Sequence, residues 1–382
     1  MKTWAVLLLS AILAGCAAAP ATQPSERLFN DQLFAAASGR ISADDVFALS
    51  DEMRQFLHAG MAEQMHVKGS QQALFDALYS KGQLKLEYDS AITRNAVQAF
   101  AARSGNCLSL VIMTAAFAKE LGLPVRYQTA VAEEIWGRSG DIHFFIGHVN
   151  VTLGRPKTHT PTRHDQVDLT IDFLPPFELR GLRTQVIGEE TIVAMYMNNR
   201  AAELFTEGQL NDAYWWARAA IGQDPRFSGS YITLGAIYRR NGNPAEAGKV
   251  LAYALERDPA NTHVISNLIP VLNDLGRVAE AKSLARMLEQ LEPDPPFSFF
   301  NRGLAAVQNR DYKAARDLFA KEVDRAPYYH EFHFWLAVAY IGLGDIERAR
   351  IELTIAIEIS SARNDKALYA AKLARIDSYR VQ

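Results

Sequence analysis

The sequence predicts an α+β domain in its N-terminal half, followed by an all-α solenoid of five helical hairpins plus a capping helix. Three observations carry this reading. Pro225, Pro259, Pro293 and Pro327 recur every 34 residues, a fixed period that marks stacked helical repeats. Ahead of them, an apolar run from Cys107 to Leu121 precedes three segments of strand character, at Val125 to Val131, His148 to Leu153 and Val167 to Phe173. At 382 residues and 49% hydrophobic composition, the chain can fill two cores rather than one.

The first residues are set apart from the fold. Lys2 followed by the apolar run Trp4 to Leu13 has the pattern of a signal peptide and is too short to span a bilayer. Leu13-Ala14-Gly15-Cys16 resembles the lipobox of bacterial lipoproteins. That resemblance implies cleavage after residue 15 and a lipid on Cys16, so the membrane is an expected partner. A secretory signal with a chance cysteine is the plainer alternative. Ala17, where an Asp would favour the inner membrane of a two-membrane envelope, points to the periplasmic face of the outer membrane. Residues 16–27, rich in Ala, Pro, Ser and Thr, read as a flexible tether. Forty basic against forty-three acidic side chains leave no large phosphate-neutralising surface, which excludes nucleic acid as an expected partner.

The domain from 28 to 190 opens with helical patterns at Leu28 to Phe34, Asp44 to Met61, Gln71 to Tyr79 and Ser90 to Ala102. Cys107 to Leu121 leaves so little polar surface that its helix is expected to be buried nearly all round, with Gly122 and Pro124 ending it. Gly105-Asn106 places Cys107 in the first turn, where unpaired amides and the helix dipole favour a thiolate. With Cys16 lipidated, Cys107 is the sole remaining thiol. It reads as a nucleophile or as a small buried hydrophobe. His148 is the candidate base, with His143 as competitor. If the second and third strands pair about Thr160, His148 lies opposite Asp172. Asp168 is the fallback carboxylate. Trp136 lies near the cleft or in the core.

The run Phe100-Ala-Ala-Arg-Ser-Gly-Asn-Cys107-Leu-Ser-Leu, followed by Leu121-Gly-Leu-Pro-Val-Arg-Tyr127, resembles the transglutaminase-like superfamily. The resemblance implies a papain-like α+β fold with Cys107 as nucleophile, His148 as general base and acid, and Asp172 as orienter. The family's usual Asp-Pro is Asp172-Phe173 here. The spacing that would bind zinc or a phosphate is missing, so neither metal nor cofactor is expected.

From 191 to 382 the landmarks keep one register, with units near 194–227, 228–261, 262–295, 296–329 and 330–361 and a cap at 364–379. Gly208, Gly242, Gly276 and Gly344 mark turns, and Ala213, Ala247, Ala281, Ala315 and Ala349 mark the second helices. Leu234-Gly235 with Tyr238, and Leu336-Ala337 with Tyr340, make the array resemble the tetratricopeptide (TPR) family. Pro270 is expected to bend unit three. Asn199, Asn267, Asn301, Phe300 and Phe334 recur on first helices and could hold a protein or peptide partner, or form an ordinary solvated face.

Together these features predict a membrane-anchored cysteine peptidase, amidase or transamidase that acts on amide or peptide bonds, with the repeats recruiting its partner. The alternative is a non-catalytic envelope scaffold built from the same two domains.

Overall fold

The structure, a computed structural model, describes residues 26–79, 84, 86–89, 92–139, 142–154, 168–173, 183–295, 297–327, 329–360 and 363–378. The signal segment, Cys16 and residues 17–25 lie outside the described residues, and at 130–139 and 142–147 only the backbone is described.

Polar caps decide where the N-terminal helices begin. Helix α1 (Asp51–Gln55) starts after Ser50, whose hydroxyl accepts the Met53 amide at 3.3 Å. The helix expected from Asp44 is therefore late at its start, and Val46 is buried in a turn closed on Ala43. A π-type turn (Phe56–Gly60) leads into α2 (Ala62–Lys68) and α3 (Ser70–Tyr79). Helix α4 (Ala96–Ala102) begins later than expected from Ser90, because Asn95 and Gln98 close a capping box. Helix α5 (Cys107–Glu120) is buried from Cys107 through Ala118. It ends in a Schellman turn, with Gly122 at φ 69° and the Leu123 amide donating to the Ala118 carbonyl at 2.9 Å.

Strands β1 (Glu87–Tyr88) and β2 (Ser104–Gly105) form a short parallel pair. The main sheet has the order β5-β4-β3-β6, with β3 (Val125–Ser139), β4 (Ile142–Gly154), β5 (Asp168–Ile171) and β6 (Arg183–Ile187), every neighbour antiparallel. Strands β3 and β4 reach beyond the expected segments because they pair as one long hairpin. Strand β6 was not expected; its alternation is too short to stand out from the surrounding loop.

Five helical hairpins follow: α6 (Glu189–Thr206) with α7 (Leu210–Gln223), α8 (Ser228–Arg240) with α9 (Pro244–Arg257), α10 (Thr262–Asp274) with α11 (Val278–Leu291), α12 (Ser298–Gln308) with α13 (Tyr312–Arg325), and α14 (His330–Gly342) with α15 (Ile346–Ile359). Helix α16 (Arg363–Ser378) covers the last pair. Each turn is a Schellman closure; Gly208, Gly242, Gly276 and Gly344 take φ of 79°, 78°, 72° and 77°, and Arg310 fills the same place in unit four at φ 58°. Close crossings use small residues: a Cβ on Gly303 would lie 2.5 Å from the Phe319 ring.

Helix α10 runs unbroken through Pro270, and a separate break in the apolar core falls after unit three. The apolar cluster of units one to three reaches Ala281, and that of unit four starts at Phe297; among the described residues the two do not merge. Helix α11 buries only Ala281 and leaves Val278, Met287 and Leu291 exposed.

The repeat array and the N-terminal unit meet along α6. Its first half, with Ile192, Val193, Met195, Tyr196 and Met197, lies in the same cluster as α5 and β4, whereas Ala201, Leu204 and Phe205 belong to the array. The Tyr127 hydroxyl donates to Glu189 at 2.7 Å, and Lys119 pairs with the same carboxylate. Burial, with Glu189 alongside, pushes the Tyr127 phenol up. Residues 26–38 also lie on the array. Phe34 stacks on Tyr214 at 4.0 Å, the Tyr238 hydroxyl donates to the Leu28 carbonyl at 3.1 Å, and the Trp215 indole donates to the Ala35 carbonyl at 2.7 Å.

The Gly and Arg turns give a direct stability comparison, since a Cβ at Gly276 meets nothing within 4 Å and only its backbone would be strained. Gly276→Ala should lower array stability by roughly 1 kcal/mol, and Arg310→Gly should raise it by roughly 0.5–1 kcal/mol in denaturant melts. Equal destabilisation by both would contradict the assigned turn geometry.

Candidate functional site

Strand β4 alternates sharply. Val149, Val151 and Leu153 are fully buried on one face, and His148, Asn150 and Thr152 are buried polar residues on the other. The partner strand is two residues out of the expected register. Val151 pairs with Ile171 and Gly154 with Asp168, so Asp172, the next residue after β5, lies opposite Asn150 rather than His148. The expected contact survives as a diagonal: His148 Nε2 lies 2.9 Å from Asp172 Oδ2, and Asn150 Nδ2 donates to the same oxygen at 3.1 Å. A further cross-strand contact joins the Thr152 and Thr170 hydroxyls at 2.9 Å.

His148 is only 2% exposed, and among the described residues its Nδ1 has no hydrogen-bond partner. One ring nitrogen is therefore held by a carboxylate and the other is left for a proton donor or acceptor. The pairing of β3 with β4 becomes irregular immediately beyond His148, between Ala130 and Ile135. Such bulges end regular pairing and re-aim neighbouring side chains.

Helix α3 fixes both ends of this region. Gln71 donates to the Leu153 carbonyl at 2.9 Å, and the Tyr79 hydroxyl donates to the Asp172 carbonyl at 2.8 Å. Tyr79 also stacks near Phe173, with ring centroids 5.9 Å apart. Burial, then the negative charges of Asp172 and Cys107, push the Tyr79 phenol up to about 12. Tyr79 thus ties the end of α3 to Asp172.

Cys107 is the first residue of α5 and is 8% exposed. Asn106 caps the helix, its Oδ1 accepting the Ser109 amide at 2.9 Å and the Ser109 hydroxyl at 2.8 Å. Gly105 makes room for this cap, since a Cβ there would sit 2.6 Å from Ser109 Cβ.

Asp168, the fallback carboxylate, is drawn away by Arg126 at 3.0 Å on the exposed sheet edge. The side chains of Trp136 and His143 lie outside the described residues. Of the repeat residues, Asn301 is exposed, while Phe300 is 1% exposed and sealed among Phe297, Phe319 and Phe332. Phe300 is therefore a core residue and offers no surface to a partner. Asn267 is buried and donates to the His263 carbonyl within its own helix at 2.9 Å. Phe334 stacks on Tyr369 of the cap at 4.7 Å, and Asn199 turns toward Thr93 of the N-terminal unit at 3.3 Å. Asn150 and Tyr79 were missed by the sequence reading. The spacing His148-Val-Asn150 was the available signal for the first; nothing local marks the second.

Residues 55–150 match the transglutaminase-like superfamily, and residues 193–299 and 300–364 each match the tetratricopeptide repeat. The chain carries a transglutaminase-like domain followed by TPR repeats. No curated protein matches it. Among solved structures, the array is similar to YrrB, described as a TPR protein with an unusual peptide-binding site, at 23% identity over 47% of this chain and 92% of that one, with a TM-score of 0.25. It is also similar to MamA from Desulfovibrio magneticus, at 16% identity over 45% of this chain and 96% of that one, with a TM-score of 0.26. A thermophilic TPR protein in Thermus thermophilus shares 16% identity over 47% of this chain and 99% of that one, with a TM-score of 0.31. Likenesses this distant do not bear on what the repeats bind.

Within the transglutaminase-like domain, the Tyr79 environment gives a pH test. The Tyr79 phenolate signal, isolated as the difference between wild type and Tyr79→Phe, should stay silent past pH 10 and fall back toward that value in Asp172→Asn. Ionisation of wild-type Tyr79 near 10 would contradict a phenol raised by burial and by Asp172.

Proposed function

We propose that the chain is a membrane-anchored cysteine enzyme acting on amide or peptide bonds, with Cys107 as nucleophile, His148 as general base and acid, and Asp172 as the group that orients the imidazole. The observation that carries this is the His148–Asp172 contact at 2.9 Å together with an Nδ1 on the same ring that has no partner among the described residues. An imidazole held through one nitrogen keeps the tautomer and orientation in which the other can accept a thiol proton.

In this mechanism His148 takes the Cys107 proton and the thiolate attacks the carbonyl carbon. The oxygen of the tetrahedral intermediate is met by the Cys107 amide, at a helix N-terminus whose dipole favours negative charge. The C–N bond breaks, the imidazolium returns its proton to the leaving amine, and a thioester remains on Cys107. Water then gives a proton to His148 and attacks the thioester, releasing the acid and restoring the thiol. An amine in place of water would give transamidation by the same steps.

The repeats supply recruitment of a protein or peptide partner. Exposed first-helix positions such as Asn301 are available for this, and the buried Phe300 is not. A lipid on Cys16 would hold the protein at the periplasmic face of the outer membrane. That anchor is supported by the Leu13-Ala14-Gly15-Cys16 sequence and by Ala17. Cys16→Ser should abolish incorporation of labelled fatty acid and move the protein from the membrane to the soluble fraction; retention of label would exclude Cys16 as the site.

The enzyme reading is tested by the rate at which iodoacetamide alkylates Cys107 across pH. Wild type should already react at pH 7, and His148→Ala should react about tenfold or more slowly there, with its profile moved toward that of an ordinary thiol near 8.5. A wild-type profile that is ordinary and indifferent to His148 would leave a binding scaffold in place of an enzyme.

A further inference from the structure

The cap of the cysteine-bearing helix is held in place by the first repeat. Asn106 spends Oδ1 on the Ser109 amide and hydroxyl, and its Nδ2 donates to Thr93 Oγ1 at 2.9 Å. Thr93 is 2% exposed and lies outside any helix or strand, so its place is set by its bonds rather than by a ladder. Two of those bonds come from α6. Asn199 Nδ2 donates to the same Thr93 hydroxyl oxygen at 3.3 Å, and the Thr93 amide donates to Glu203 Oε1 at 2.6 Å. Asn199 and Glu203 are four residues apart on one helix and therefore share a face. The next amide, that of Arg94, donates to Ser109 Oγ at 2.8 Å, which closes the network on α5.

Glu203 is an unusual group to find here. Burial pushes its carboxyl up, and the Thr93 amide and Arg200 pull against that. Even a partly buried carboxylate is costly unless its oxygens are bonded, and here one meets Thr93 and the other pairs with Arg200. Its partner Thr93 belongs to the transglutaminase-like domain, so the repeat helix and the loop before α4 stabilise each other.

We propose that Asn199 and Glu203, on the first repeat, are positioning residues for Cys107: through Thr93 they fix the Asn106 amide, and through it the first turn of α5. This rests on the reading of Cys107 as nucleophile. The repeats then do more than recruit a partner. Any ligand that displaces α6 also loosens the cap beneath the thiol, so thiol reactivity belongs to the two units jointly.

The test uses the full chain and the rate of iodoacetamide alkylation at Cys107, read by peptide mass spectrometry so that Cys16 does not contribute. The double variant removes the Arg200–Glu203 pair and leaves the His148–Asp172 contact and the Arg94–Asp89 pair intact. Asn199→Ala/Glu203→Ala should slow alkylation at pH 7 by about tenfold and raise the pH midpoint. Glu203→Gln keeps an acceptor for the Thr93 amide and should stay within about twofold of wild type. A local pair covers the case in which the double variant does not fold. Thr93→Val, which removes the hydroxyl at nearly constant shape, should be slow, and Thr93→Ser should restore the wild-type rate. Wild-type rate and midpoint in a folded double variant, or in Thr93→Val, overturn the proposal while a His148-dependent wild-type thiol leaves the enzyme reading standing. A wild-type thiol indifferent to His148 overturns both.

Discussion

Helix α6 has to satisfy two cores at once, and most of the architecture follows from that. Its first half buries Ile192, Val193, Met195, Tyr196 and Met197 with α5 and the sheet, and its second half gives Ala201, Leu204 and Phe205 to the repeats. A connection made this way is not a linker. The apolar surface that closes the transglutaminase-like domain is the same helix that starts the solenoid, so exposing it would uncover both cores. Residues 26–38 add a second tie, with Leu28 and Phe34 buried among Tyr214 and Tyr238 of the array.

The candidate site is assembled from pieces that each solve a local problem. The alternation of β4 sets Val149 and Val151 into the apolar core and turns His148 and Asn150 to the opposite face, where one carboxylate receives both. The end of β5 is pinned by Tyr79, and the start of α5 is pinned by Asn106. His148 and Cys107 thus sit on a strand and at a helix start, and Asp172, one residue past β5, is held by His148, Asn150 and Tyr79.

The periodic parts of this structure were legible in the sequence because periodicity is packing written along the chain. Prolines every 34 residues and glycines in four of the five turns gave the five hairpins, and the unbroken apolar run at Cys107 gave a buried helix. What stayed hidden depends on contacts between distant segments. The register of β5 on β4 is fixed by pairing across a long connection, so it came out two residues away, and Asn150 went unnoticed beside His148. Phe300 looks like a surface aromatic by repeat position, yet the cluster around Phe297 encloses it, and the apolar clusters part after unit three although the 34-residue period continues through Pro293 and Pro327. Asn199 reads as a repeat-surface residue until the fold brings Thr93 against it.

The joint burial of α5 and α6 is the claim on which the functional reading leans, and native-state hydrogen exchange addresses it most directly. Amides of α5 and of the first half of α6 should open with a common free energy and respond together to denaturant, as one cooperative unit. If α5 opened at a lower free energy while α6 stayed protected with the repeats, the two units would be independent bodies and the shared-helix account would be contradicted.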